Sequence, residues 1–353
     1  RRRVNAAAGG TVLHRSYPSG RDWHELRLSL TAAALDDLET DALGTLVACF
    51  LVGVAVAEAA LAKALGQDST AQLRRAGVLV DVDVKDGRRC CGALQLFPIL
   101  DDDVIATDWS SETLLDANDA VMSVGTESLE LALLAPPPRR GARVLDLCCG
   151  SGVQGVVALC RGAASVTFAR ARVECAASTP STLTMPRTQV DTSRRALAFC
   201  RVNVLGCERR GRLGDARFLR CDARHARDVA LRAGGRAFDV VLANPPFVAG
   251  GSARFASGGD DGCRVLEPLV RSLAAHVGRG GYACVVSEFY ASSERPEGWV
   301  PPSASIEWSR CFSKTSTPSV HWLMYAQVPP CPGLDALLVR DPRQAENPRD
   351  YAA

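Results

Sequence analysis

Apolar positions fall into two patterns along this chain. In the C-terminal half they gather into short runs bounded by glycine, proline or charge: Val144-Leu145-Asp146-Leu147-Cys148-Cys149, Phe238 to Ala243, Tyr282 to Ser287 behind Gly280-Gly281, and Ser319 to Val328. Runs of that length read as buried strands. An apolar helix from Val153 to Cys160 and another from Cys263 to Val277 stand between them. Strands alternating with helices predict an α/β fold.

The N-terminal half follows a helical period first. Leu46, Val47, Phe50, Leu51 and Val54 repeat at helix spacing and predict one core-facing stripe. A membrane span is a poor fit, because only the 16 residues from Ala42 to Ala57 are free of charge. A second helix is expected over Ser69–Ala76, then a strand Val78–Val84, a turn at Lys85-Asp86-Gly87 and a returning strand Cys91–Phe97. Helices followed by a hairpin suggest a mainly helical, winged-helix-like domain over residues 21–103. Winged helices often bind nucleic acid. Arg74 and Arg75 are the only basic candidates on its second helix, so protein docking or a purely structural role is as good a reading.

Two stretches carry chemistry. Gly150-Ser151-Gly152-Val153-Gln154-Gly155 follows the Val144 strand and opens a helix, which gives strand, glycine loop, helix. Glycines let a backbone approach a ligand closely, and a helix start presents free N–H groups. By its glycines alone the loop is G-x-G-x-x-G, the dinucleotide fingerprint, with Glu174 near the spacing of a ribose acid. An acid inside the strand, Asp146, argues against a nicotinamide enzyme. So does the second stretch, Asn244-Pro245-Pro246-Phe247, which ends the run Phe238–Ala243 and has no task in hydride transfer. The prolines fix φ and remove backbone donors, leaving carbonyls as acceptors beside the Asn244 amide. Phe247 offers a flat face on which a base or an amide can stack. A proline turn that merely ends a strand is the plain alternative.

With both stretches in view, Val-Leu-Asp-Leu-Cys-Cys-Gly-Ser-Gly and Asn-Pro-Pro-Phe resemble the class I S-adenosylmethionine-dependent methyltransferases. The likeness is to their methyltransferase small domain group, which includes RNA base N-methyltransferases and release factor glutamine methyltransferases. It covers roughly residues 101–328 and implies a Rossmann-like sheet. It also implies S-adenosyl-L-methionine as cofactor, held at Asp146, Cys148, Gly150 and Gly152. The ribose acid corresponds to Asp191, and Asp222, ending a third strand Phe218–Cys221, corresponds to the adenine position. Asn244, which also borders the cofactor, and Pro245, Pro246 and Phe247 correspond to the catalytic turn. Thr126 and Glu127 match a segment that covers the cofactor, and Thr126 also suits a plain helix cap. The loop Arg254–Gly262 resembles one that follows the same turn in glutamine methyltransferases, and it is a candidate lid.

One departure stands out. Asp191 lies 45 positions after Asp146, about twice the expected spacing. Removing residues 168–188 would join Ser165-Val166-Thr167 to Gln189-Val190-Asp191 as one strand, so that segment is read as an insertion, such as an unspliced intron. The expected organisation is a disordered or targeting segment 1–20, the N-terminal domain 21–103, a linker and cofactor-covering helix 104–140, a catalytic domain 141–328 and a tail 329–353.

Composition changes this picture little. The net charge is +2, and 47% hydrophobic content suffices for packed cores. Residues 101–130 hold nine acids and no Lys or Arg, while residues 139–236 are rich in Arg, a distribution that suits a phosphate backbone or simple coding bias. The 14 cysteines include no C-x-x-C and the five histidines show no ligand spacing, so no metal site is expected. The acid-free, Arg-bearing first 21 residues resemble an organelle transit segment, with cytoplasm as the primary expectation. The expected reaction is methylation of a planar nitrogen. An exocyclic amine of RNA, ribosomal RNA above all, is the first choice of substrate. A glutamine of a translation protein is the second, and a non-catalytic cofactor-binding RNA or protein partner is the third.

Overall fold

The structure, a computed structural model, describes residues 37–84, 87–100, 103–109, 120–170, 192–208, 214–220, 237–248, 256–259, 262–288 and 319–325. They belong to two compact units. The first takes in residues up to Asp116 together with Ala120–Leu129, and the second Ala117–Asp119 together with everything from Glu130 onward.

In the N-terminal unit, helix α1 (Ala42–Leu46) is capped by Asp41, whose carboxylate accepts the Gly44 N–H at 2.8 Å. The helix then widens into a π-helical turn over Val47–Val52 and stops at Gly53, whose φ of 81° suits glycine. The widened turn buries Phe50 and Leu51, and the Leu51 carbonyl is taken by Gln95 Nε2 at 3.1 Å. Strand β1 (Val56–Ala57), helices α2 (Glu58–Leu65) and α3 (Gln67–Arg75), and strands β2 (Leu79–Val84) and β3 (Gly87–Gly92) follow. The three strands form an antiparallel sheet in the order β1-β3-β2. Instead of one returning strand Cys91–Phe97, the chain leaves β3 at Gly92 and starts β4 (Gln95–Ile99), which pairs with β5 (Asp103–Thr107). β5 thus carries this unit past residue 103. Among the described residues, no helix is long and apolar enough to cross a membrane.

Helix α4 (Thr126–Leu134) leads to the C-terminal unit, a sheet of six strands. In chain order they are β6 (Arg143–Leu147), β7 (Ser165–Arg170), β8 (Asp215–Arg220), β9 (Phe238–Ala243), β10 (Val277–Glu288) and β11 (Ser319–Tyr325). Helix α5 (Val153–Cys160) joins β6 to β7, α6 (Thr192–Glu208) precedes β8, and α7 (Cys263–His276) precedes β10. The strand order is β8-β7-β6-β9-β10-β11 and every pair is parallel. From β6 the chain winds outward through β7 and β8, then returns to β9 and winds the other way. This is the doubly wound, Rossmann-like sheet, with its switch point between β6 and β9.

Alternation along the strands divides the core. Leu145, Leu147, Val241, Ala243, Ala283 and Val285 face α7, where Leu266, Leu269, Val270 and Leu273 meet them. Asp146 lies on the opposite face, toward α5. Arg143 fastens the starts of β6 and β9: its N–H reaches Asp239 Oδ2 at 2.8 Å and its guanidinium the Ala237 carbonyl at 2.9 Å.

Strand β7 corrects the expected start of the insertion. The strand continues through Phe168, Ala169 and Arg170, in register with Phe218, Leu219 and Arg220 of β8. Phe168 is fully buried, and its ring stacks on Phe218 with centroids 5.4 Å apart. Residues 171–188 lie outside the described residues.

Candidate functional site

The glycine loop and the Asn-Pro-Pro-Phe turn leave neighbouring strands at the same level. Leu147, the last residue of β6, pairs with Ala243, the last of β9. Cys148 and Asn244 therefore emerge side by side from strands about 4.8 Å apart, at the carboxyl edge of the sheet and on its switch point. Their ladders set this meeting, although 96 positions separate the two residues.

Each part of the loop has a local cause. Cys148 adopts φ 60°, uncommon for a residue with a side chain, and the turn tightens as the Gly152 N–H meets the Cys149 carbonyl at 2.6 Å. Gly152, at φ 83°, packs so closely that a Cβ there would stand 2.9 Å from Cys200 Sγ and 3.1 Å from Phe168. At Gly155 a Cβ would stand 2.4 Å from the Phe168 ring, so glycine sets the approach of α5 to β7. Gly150 faces open space. Helix α6 supports the loop from the side: Asn203 Nδ2 donates to the Ser151 carbonyl at 2.9 Å, and Cys200 Sγ lies 3.6 Å from Cys149 Sγ.

Asp146 is fully buried. Its Oδ2 accepts the Gly155 N–H at 2.9 Å, while its Oδ1 has no hydrogen-bond partner. Burial pushes its pKa up to about 8, against the pull of that single N–H. A carboxyl group at the start of α5 occupies the place where dinucleotide enzymes bring pyrophosphate, and it already uses a first-turn N–H. The loop is thus built for a neutral or cationic group rather than for an anion. The unpartnered Asp146 Oδ1 suits the ammonium of the amino-acid end of S-adenosylmethionine.

In the turn, Pro245 and Pro246 are buried, while Asn244 and Phe247 are half-buried. Beyond Phe247 the chain doubles back: the Val248 N–H reaches the Ala256 carbonyl and the Gly258 N–H the Val248 carbonyl, both at 2.9 Å. Part of the candidate lid is therefore anchored to the turn itself. Residues 249–255 and 260–261 lie outside the described residues, as do Asp191 and Asp222.

Sequence reasoning placed Asp146, Cys148, Gly150, Gly152 and Asn244 to Phe247, and the structure brings these to one edge. It passed over Asn203, whose only signal was a polar residue on the buried side of a helix. In the N-terminal unit, Arg74 is committed to Glu58 and Asp81, each at 3.0 Å, and Arg75 is exposed.

No family model matches the chain, and neither does any curated protein. Among solved structures, similarity extends to a candidate S-adenosylmethionine-dependent methyltransferase from Streptococcus mutans, at 15% identity and a TM-score of 0.35, over 54% of this chain and 40% of that one. A Pyrococcus abyssi tRNA (uracil-54, C5)-methyltransferase in complex with S-adenosylhomocysteine aligns at 15% identity and a TM-score of 0.30, over 56% and 38%. The rRNA methyltransferase aviRa from Streptomyces viridochromogenes aligns at 17% and 0.30, over 46% and 71%. The chain thus spans well under half the length of the first two. At these scores the fold assignment rests on this chain's own strand order and register.

Proposed function

We propose that the chain is an S-adenosylmethionine-dependent N-methyltransferase whose target is an exocyclic amine of an RNA base. The observation that carries this reading is the pairing of Leu147 with Ala243, which delivers a cation-suited glycine loop and an Asn-Pro-Pro-Phe turn to one point on the sheet edge. The cofactor would lie against Asp146, Cys148, Gly150 and Gly152, with Asp191 and Asp222 as the ribose and adenine residues that the family resemblance implies. Bound there, it supplies an electrophilic methyl group on a sulfonium.

The chain's own residues prepare the nucleophile. An amine conjugated with a base is planar and weakly nucleophilic, because its lone pair is delocalised into the ring. The Asn244 side-chain oxygen and the Pro245 carbonyl each accept one of its N–H groups, which favours a pyramidal nitrogen with its lone pair toward the methyl. Phe247 stacks on the base and fixes its plane. As the nitrogen–methyl bond forms, the carbon–sulfur bond breaks to leave the thioether S-adenosylhomocysteine, and the methylated nitrogen gives up one proton to solvent. Orientation and exclusion of water during the attack supply the rate enhancement, with no titrating base required.

Incubating the protein with methyl-labelled S-adenosylmethionine and a cell extract, then dividing label between RNA and protein fractions, tests the substrate. Label in RNA is the expected result. Label in protein replaces the base with a glutamine amide, and label in neither leaves a non-catalytic binding domain. Asn244→Ala should abolish transfer while leaving S-adenosylhomocysteine affinity nearly unchanged by calorimetry. Undiminished transfer by that variant removes the proposed mechanism.

A further inference from the structure

Helix α6 turns one stripe of side chains toward α5 and the glycine loop. Cys200, Asn203 and Cys207 fall at i, i+3 and i+7, and each meets a partner across that seam. Asn203 reaches the Ser151 carbonyl, and the two cysteines each face a second thiol. Cys200 Sγ lies 3.6 Å from Cys149 Sγ, and Cys207 Sγ lies 3.8 Å from Cys160 Sγ. The seam thus carries two reduced dithiols, set apart on α6 by two helical turns, roughly 10 Å. They differ in what can reach them. Cys149 and Cys200 are both buried, whereas Cys160 is partly exposed and has buried Cys207 beside it. The second pair also sits where helices yield most readily: Cys160 is the last residue of α5, and Cys207 comes just before Glu208, the last of α6. Small adjustments of those ends bring the sulfurs from 3.8 Å to the roughly 2.05 Å of a disulfide.

We propose that Cys160 and Cys207 form an oxidation site, at which a hydroperoxide converts the facing thiols into a disulfide that staples the end of α6 to the end of α5. Cys160, the reachable sulfur, attacks a peroxide oxygen as its thiolate. A sulfur–oxygen bond forms, the oxygen–oxygen bond breaks, and the departing hydroxide takes up the thiol's proton as water. The Cys207 sulfur then attacks Cys160: the disulfide forms, the sulfur–oxygen bond breaks, and the hydroxyl leaves with the Cys207 proton as a second water. The two thiols give up two electrons, and one hydrogen peroxide becomes two waters. The staple lies one helical turn beyond Asn203, so the oxidised chain holds its support of the glycine loop by a covalent bond. In a reducing compartment such a bond is transient, and thiols reverse it.

Treating the full chain with hydrogen peroxide, blocking the remaining thiols and mapping the peptides by fragmentation locates the bond. A cross-link between Cys160 and Cys207 that dithiothreitol removes is expected, with Cys149 and Cys200 still reduced. The melting temperature of the oxidised chain should rise by about 5 °C or more, because the bond constrains a long stretch of the unfolded chain. Cys160→Ser changes a partly exposed position, and it should fold like wild type yet show neither cross-link nor rise. Cys207→Ala should likewise show no rise over its own untreated form. A cross-link between Cys149 and Cys200 in its place, no cross-link, an unchanged or lower melting temperature, or the same rise in Cys160→Ser overturns the assignment.

Discussion

Replacing Asp146 by Asn should change how the ligand-free protein responds to pH. The carboxyl group is fully buried with one N–H partner, and burial moves its pKa from an ordinary 3.8 to about 8. Between those limits the folded chain holds a proton that the unfolded chain has released, so rising pH works against the fold. The penalty is absent below the lower limit and complete above the upper one. From pH 5 to pH 8 it grows by roughly 4 kcal/mol, at about 1.4 kcal/mol per pH unit over most of that window. Asparagine has nearly the same shape and does not titrate. Urea unfolding of both proteins without ligand, at half-unit steps from pH 5 to pH 8, gives the difference in stability directly. Asp146→Asn should gain on the wild type steadily as pH rises. Parallel pH profiles would mean that Asp146 is already ionised in the folded state, and would refute both its raised pKa and the absence of a partner for Oδ1.

His276 should act in the opposite sense. It is fully buried, neither ring nitrogen has a partner, and burial lowers its pKa to about 4. Its unfolded form takes up a proton first as pH falls, so stability is lost from about pH 6.5 down through about 4, by roughly 3 kcal/mol in all. His276→Leu should flatten that acid limb in the same urea series, and an unchanged limb counts against it. Gly155→Ala should cost about 1–3 kcal/mol, since its Cβ would press on the buried Phe168 ring, and the shift should weaken the Gly155–Asp146 bond. Chemical denaturation checks the first effect. A variant as stable as wild type would show that α5 can move away from β7.

The sequence made the centre of the sheet legible and its surroundings less so. The runs Val144–Leu147 and Phe238–Ala243 are short, apolar and punctuated by Gly and Pro, and each became a strand whose end holds site residues. That the two strands are neighbours follows from pairing across 90 or more positions, which no local pattern contains. Phe168 to Arg170 read as the start of an insertion because nothing nearby shows that Phe218 waits on β8 to stack with Phe168. The Val47–Val52 stretch read as ordinary helix, since a π turn shares its apolar content and differs in hydrogen bonding, settled partly by the distant Gln95. Asn203 matters through its burial and its partner, neither of which composition reveals.

The grip of α6 on the glycine loop has a consequence for how this chain tolerates change in length. Asn203 and Cys200 hold that loop from the far side of residues 171–191, so the site depends on a helix reached only across a 21-position connection. The entropy of closing such a connection rises only with the logarithm of its length, by about 0.6 kcal/mol per doubling. Doubling the length of the link therefore costs about as much as one hydrogen bond of that grip contributes. Residues 171–190 are thus where a change in length costs this fold least, provided that Asp191 and helix α6 keep their places.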